Sequence, residues 1–65
     1  MNTYRYEIKL TGQKITGTQE AVSPEEALGI LLVKAMEYRE AEEIDIDCVF
    51  VRDMAGENIL TYFTT

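Results

Sequence analysis

The chain has 65 residues, of which 46% are hydrophobic and 28% are charged, and its formal net charge at pH 7 is −6. This length allows a single domain, and a domain this small buries only about 60% of the surface that its unfolded chain exposes. With one cysteine, Cys48, and no histidine, the chain has no internal disulfide and lacks the usual ligands for a structural zinc site. The acidic balance disfavours direct nucleic-acid binding, because that affinity comes largely from neutralised phosphates. We therefore expect a charged partner to be a protein with a basic surface.

No run of apolar residues approaches the roughly 20 that a membrane-spanning helix needs. The apolar run at residues 30–33 is only four residues long and falls inside a predicted helix. We expect no membrane partner. The lone cysteine and the absence of an apolar N-terminal segment favour a cytoplasmic protein.

The first two predicted elements are strands. Residues 4–10 alternate between apolar side chains and Arg5, Glu7 and Lys9, which predicts a strand with one buried and one solvated face. A turn is predicted at residues 11–13, followed by a threonine-rich strand over residues 14–22. Gly17 within that strand is expected to mark a bulge or a place where the helix approaches closely.

The clearest local signal in the sequence is a helix start at Pro24. Ser23 is a good N-cap, Pro24 suits the first helical position, and Glu26 completes a capping box. The helix is predicted to run to about residue 40. Its apolar residues on one broad face form the predicted core stripe: Ala27, Leu28, Leu31, Leu32, Ala35 and Tyr38.

Two further strands are predicted at residues 44–52 and 58–64, with a loop at 53–57. The first of them alternates at its start, so one set of residues is expected to face the core: Ile44, Ile46, Cys48 and Phe50. That phase leaves Val49 and Val51 on the outer face of the sheet. In the last strand, the inward face stays open between Leu60 with Tyr62 and Ile59 with Phe63.

The element order is therefore ββαββ. It predicts an α+β domain in which a single helix packs on one face of a mostly antiparallel four-stranded sheet.

The first 27 residues resemble the small ββα units that open the cytoplasmic domains of type II secretion inner-membrane proteins. The resemblance is carried by Tyr4-Arg5-Tyr6, Gly12, residues 14–18, Glu20, Ala21, Ser23, Glu26 and Ala27. It implies a hairpin that leads into a capped helix. Because these residues are the ones that such a hairpin needs for its own geometry, the resemblance implies nothing about function.

Six carboxylates fall within residues 37–47, around the predicted end of the helix: Glu37, Glu40, Glu42, Glu43, Asp45 and Asp47. This acidic run could imitate a phosphate backbone and occupy the basic nucleic-acid-binding surface of a partner protein. Small phage and mobile-element inhibitors, including those of the anti-CRISPR kind, are often short, acidic and free of catalytic groups. The alternative is a solvated helix end, which is what most charge runs are.

A second candidate surface lies on the helix, away from the core stripe, and consists of Gly29, Ile30, Val33 and Met36. Glycine inside a helix costs about 1 kcal/mol relative to alanine, and it is tolerated where another backbone approaches closely. The patch therefore predicts a helix–helix contact, most simply in a two-fold homodimer. The alternative is a set of scattered exposed apolar residues. A further candidate is the outer sheet face around Val49 and Val51.

We do not expect an enzyme, because Cys48 has no histidine to serve as its base and is expected to be a core residue. Asp45 and Asp47 could offer oxygen ligands to a divalent cation, but nothing resembles a calcium-binding loop, so we expect no metal and no cofactor. The leading hypothesis is a small acidic, non-catalytic binding protein that inhibits a partner by occupying its basic surface. The alternative is a structural module that assembles as a homodimer through the outer helix face.

Overall fold

The structure is a computed structural model, and it describes residues 1–63. Its elements are β1 (Asn2–Leu10), β2 (Gln13–Ala21), α1 (Pro24–Glu42), β3 (Ile46–Arg52) and β4 (Asn58–Phe63). The strands form one antiparallel sheet in the order β2-β1-β3-β4, and α1 packs on one face of it. The predicted ββαββ architecture is confirmed. Within the described residues, no helix combines the length and the hydrophobicity that a membrane crossing requires.

Most boundaries differ from the predicted ones by one or two residues. The helix begins as predicted, because the Ser23 hydroxyl accepts a hydrogen bond from the Glu26 N–H at 3.2 Å. It ends at Glu42 instead of about residue 40, and β3 begins at Ile46 instead of residue 44. Thr64, which the prediction includes in the last strand, lies outside the described residues.

The β1–β2 hairpin is regular along its whole length. Its register runs from Asn2 opposite Ala21 to Leu10 opposite Gln13 without a shift, so Gly17 marks no bulge. The close approach at Gly17 comes from a side chain of β1 and not from the helix. A Cβ atom at this position would lie 2.7 Å from the Tyr6 hydroxyl oxygen.

A β-bulge in β3 changes the orientation of that strand. Lys9 of β1 pairs with Cys48, whereas the next residue, Leu10, pairs with Ile46. Asp47 is therefore the extra residue of the bulge. Because side chains along a strand alternate between the two faces of the sheet, this one-residue insertion moves every later side chain of β3 to the face opposite the one predicted.

The predicted facing of β3 is consequently wrong from Cys48 onward, whereas Ile46 belongs to the core and Ile44 packs against it, as predicted. Val49 and Val51 lie opposite Ile8 and Tyr6 on the helix side of the sheet, and both valines are fully buried. They form no outer surface on which a second sheet could stack.

Cys48 and Phe50, predicted to face the core, instead lie on the outer side of the sheet. Cys48 is opposite Lys9, and Phe50 is opposite Glu7. Cys48 is still buried there, although it does not belong to the cluster under the helix. The bulge at Asp47 is the physical reason for both changes.

The last strand resolves the alternative that the sequence left open. Leu60 pairs with Val51 and Tyr62 pairs with Val49, so these two residues of β4 share the helix side. A second register shift follows, between Val51 and Arg52, and it makes Ile59 the extra residue.

The core lies between the sheet and one face of α1. The helix contributes Ala27, Leu31 and Ala35 as fully buried residues, with Leu28 and Leu32 partly buried beside them. The predicted core stripe is thus correct except at its C-terminal end. There Tyr38 is exposed and lines an open groove together with Tyr6 and Lys34.

Truncation to alanine should affect stability strongly on the buried side of α1 and hardly at all on its exposed side. Leu31 is 0% exposed, so Leu31→Ala should lower the free energy of unfolding by about 2–5 kcal/mol through lost burial and a residual cavity. Val33 is 61% exposed, so Val33→Ala should change it by less than about 0.5 kcal/mol. Urea denaturation monitored by circular dichroism measures both. Equal losses for the two variants would contradict this packing of α1.

Candidate protein-binding surface

The acidic run surrounds the C-terminal end of α1. Its first three residues lie on the helix, the fourth is the C-cap, and the last two lead into β3: Glu37, Glu40, Glu42, Glu43, Asp45 and Asp47. All six residues are exposed. The structure therefore brings the whole run to one end of the molecule.

The run does not lie on a single face, because successive helical positions are about 100° apart. Glu40 lies on the outer side of α1, and Glu37 lies between that side and the groove beside Tyr6, which it also lines. Glu42 lies on the other side, in the groove lined by Tyr6 and Lys34, where the Lys34 Nζ atom is 5.5 Å from the centre of the Tyr6 ring. The carboxylates thus form a ring around the helix end.

Asp45 and Asp47 lie at the start of β3. Together with Arg39 and Ile46 they line a shallow, open depression beside the helix end. The backbone there is fixed by the Asp45 carbonyl, which accepts a hydrogen bond from the Thr11 N–H at 3.0 Å. Within residues 1–63, no group of three or more His, Cys, Asp or Glu side chains is arranged to hold a metal ion.

The apolar patch predicted on α1 is continuous with the acidic run. We call the combined area the outer helix surface, formed by Gly29, Ile30, Val33, Met36, Glu37 and Glu40. These residues recur at intervals of three and four, which places them on one side of a helix. Val33 and Met36 are 61% and 52% exposed, and the fully buried residues of α1 lie on its opposite side.

Gly29 lies in the N-terminal half of the helix, away from its end, without a packing reason among the described residues. A Cβ atom added there would meet nothing within 4 Å. Alanine would therefore fit, and it would be the more stable residue in a helix by about 1 kcal/mol. The helical glycine is not explained by any contact of the folded monomer.

The acidic helix end is likewise unfavourable for helix stability. The last turn carries Glu40 and Glu42 at the negative end of the helix dipole, where each carboxylate costs about 0.3–1 kcal/mol, and Arg39 is the only basic residue of that turn. The C-cap Glu43 adopts the left-handed conformation with φ 55°, a position that favours glycine. Within the described chain, none of these three carboxylates forms an ion pair.

A basic area on the opposite side of the molecule was not predicted as a unit. It is the solvent side of the sheet, which we call the outer sheet face, and includes Arg5, Glu7, Lys9, Lys14, Phe50 and Arg52. Four of the six basic residues of the chain lie there. The alternation of residues 5–9 indicates its first half, whereas the bulge at Asp47 conceals the contribution of β3.

Glu7 is the central carboxylate of the outer sheet face and is almost buried. Its Oε1 atom lies 3.4 Å from the Arg52 guanidinium and 3.9 Å from the Lys14 ammonium. The Phe50 ring beside it has Arg52 at 4.9 Å and Lys9 at 5.8 Å from its centre. One carboxylate and one ring therefore hold the cations together, and the face keeps a local positive charge.

Comparison with known proteins identifies no relative. No protein-family model matches the chain, and no curated protein or solved structure is significantly similar to it.

Substitution of two glycines tests the contrast between open space at Gly29 and close packing at Gly17. Gly29→Ala should raise the free energy of unfolding by about 0.5–1 kcal/mol, because the added methyl group meets open space and the helix gains propensity. Gly17→Ala should lower it, because its Cβ atom would collide with the Tyr6 side chain. Urea denaturation of the two variants measures both effects. Destabilisation by Gly29→Ala would show that an unobserved contact covers this part of the helix.

Proposed function

We propose that the protein is a small, non-catalytic binding protein whose outer helix surface and acidic helix end occupy a basic surface of a partner protein. One observation carries the proposal: the residues that oppose local stability gather in one area. Gly29 and Glu40 lie on the outer helix surface, and Glu42 and the left-handed Glu43 lie at the acidic helix end that adjoins it. Natural sequences break local rules mainly where function requires it.

The chemistry of this area indicates the kind of partner. Protein interfaces commonly combine an apolar centre with a polar rim. Here Val33 and Met36 form the apolar centre, and Glu37 and Glu40 begin an acidic rim. The complementary surface is an apolar patch bordered by lysine and arginine residues. Proteins that bind nucleic acids carry such basic surfaces, so we propose that binding competes with the nucleic acid of the partner, as in a phage or mobile-element inhibitor.

The basic outer sheet face supports one orientation of this complex. Complementary charges steer two proteins during their encounter, and like charges suppress the wrong approach. Arg5, Lys9, Lys14 and Arg52 would repel a basic partner from the sheet side. The partner is therefore directed to the helix side, where the carboxylates lie.

Charge reversal on the outer helix surface tests the proposal. Glu37→Lys/Glu40→Lys should abolish capture of a basic protein by the tagged wild-type chain, and raised salt should weaken that capture. The matched control is Met54→Lys/Ala55→Lys/Glu57→Lys, which changes the net charge equally, from −6 by +4 to −2, at exposed residues of the loop between β3 and β4. The readout is quantitative mass spectrometry of proteins captured from lysate, followed by competition of the purified partner with single-stranded DNA.

The proposal requires that a captured protein is lost with Glu37→Lys/Glu40→Lys and retained with the control variant. Equal loss with both variants would show a non-specific charge effect and contradict it. A partner whose binding survives Glu37→Lys/Glu40→Lys would contradict it as well.

A second candidate function is assembly, in which the outer helix surface makes a homodimer. The exposed stripe of Gly29, Val33 and Met36 favours it, because a helical glycine allows two helix backbones to approach. The acidic rim opposes it, since Glu37 and Glu40 would face their own copies in a parallel pair of helices, and Glu40 would face Glu26 in an antiparallel pair centred on Val33. Such a dimer should therefore tighten at high salt, whereas a complex with a basic partner should weaken.

Light scattering on Val33→Glu tests the assembly function. A homodimer through the helix should become a folded monomer, because the substitution inserts a charge into the centre of its interface. Circular dichroism confirms that the monomer is folded. A mass that is unchanged by Val33→Glu would remove this candidate.

A further inference from the structure

Within residues 1–63, β2 is an edge strand that has a neighbouring strand on one side only. It is nine residues long, and its pairing with β1 contains no register shift. Natural proteins protect long edges with proline, bulges or dense charge, because unpaired backbone groups there can bind another strand. β2 contains no proline, and its middle consists of threonines around Gly17. It is therefore an open edge suited to strand addition.

The free backbone groups of β2 belong to alternate residues. In an antiparallel ladder, the N–H and C=O groups of successive residues point to opposite neighbours. Leu10 and Gln13 flank a two-residue turn and form a hydrogen-bonded pair, so the odd-numbered residues of β2 bond to β1. The residues that direct their backbone groups to the free edge are Lys14, Thr16, Thr18 and Glu20.

These four residues are complementary to the same four residues of a second copy of β2. If a second β2 pairs antiparallel with the first about a two-fold axis at Gly17, Lys14 lies opposite Glu20 of the second copy. In the same register, Thr16 lies opposite Thr18. Each pair occurs twice by symmetry, and every pair joins residues whose backbone groups face the edge. Shifting the register by two residues in either direction separates both Lys–Glu pairs.

We propose that two copies of this chain pair through β2 in the register centred on Gly17 and form a continuous eight-stranded antiparallel sheet. Hydrogen bonds between the backbones hold the strands, and the two Lys14–Glu20 pairs fix the register. The Glu20 carbonyl accepts one bond from the Gln19 side-chain amide at 3.0 Å, and its second lone pair remains for the partner strand.

The other edge of the sheet suits pairing less well. β4 has six described residues, and the register shift at Ile59 interrupts it. Bulges of this kind end or deflect strand pairing. Pairing through β2 also leaves the outer helix surface of each copy free, so the dimer is independent of the proposed partner and would present two acidic surfaces.

Complementary charge variants test the register. Light scattering over a range of concentrations should show a dimer for the wild type. Lys14→Glu and Glu20→Lys should each raise the dissociation constant by about tenfold or more, because two like-charge pairs replace two opposite pairs. An equimolar mixture of the two variants should dimerise again, since both charge pairs of the heterodimer are then opposite in sign.

Three further measurements distinguish loss of the β2 dimer from unfolding and from dimerisation through the helix. Circular dichroism shows whether the variants fold, which matters because Lys14 also contacts Glu7. Thr18→Pro should give a folded monomer, because it removes an N–H from the free edge and none from the β1 ladder. Val33→Glu should leave the β2 dimer intact. The proposal is overturned by a monomeric wild type, by a mixture that stays monomeric, or by dissociation with Val33→Glu.

Discussion

The β-bulge at Asp47 is the constraint on which the arrangement of the sheet depends. One helix can cover only one face of a four-stranded sheet, yet β3 carries apolar side chains in both phases. The extra residue selects Val49 and Val51 for the helix side, opposite Ile8 and Tyr6, and it sends Phe50 to the solvent side. Two β-branched residues thereby fill the centre of the core. The outer sheet face gains the ring that holds its cations.

The predictable part of the fold is the part that local chemistry determines. The capping residues Ser23, Pro24 and Glu26 locate the helix start to the residue, and the alternation of residues 4–10 assigns both faces of β1. The facing of β3 was not predictable in this way. Apolar and polar residues alternate regularly up to Cys48, and this alternation does not reveal that Asp47 is the extra residue of a bulge. The contact between Gly17 and Tyr6 likewise depends on pairing between strands and not on either strand alone.

The candidate surface was located by sequence because both of its parts lie on or beside the helix. Helical periodicity separates Val33 and Met36 from the core, and the acidic run follows directly along the chain. The positions of the carboxylates around the helix end were harder to predict from the sequence, because they depend on where the helix ends. The longer helix rotates Glu42 away from Glu40 and into the groove beside Lys34. The identity of the proposed partner does not follow from the sequence, because a surface indicates the chemistry of a complementary surface and not the molecule that carries it.

The net charge of −6 describes neither side of this protein well. Four of its six cations lie on the outer sheet face, while the acidic run surrounds the helix end. The molecule measures 32 × 20 × 18 Å, so opposite surfaces are about two Debye lengths apart, given a length of about 8 Å at physiological ionic strength. Each side therefore presents its own charge to a partner, and the average misrepresents both. The free edge of β2 lies at the border of the sheet and carries a positive charge near one end, at Lys14, and a negative charge near the other, at Glu20. When two copies of this edge pair antiparallel, each positive end lies opposite a negative end. Two copies of the basic sheet face, or of the acidic helix end, would instead bring like charges together.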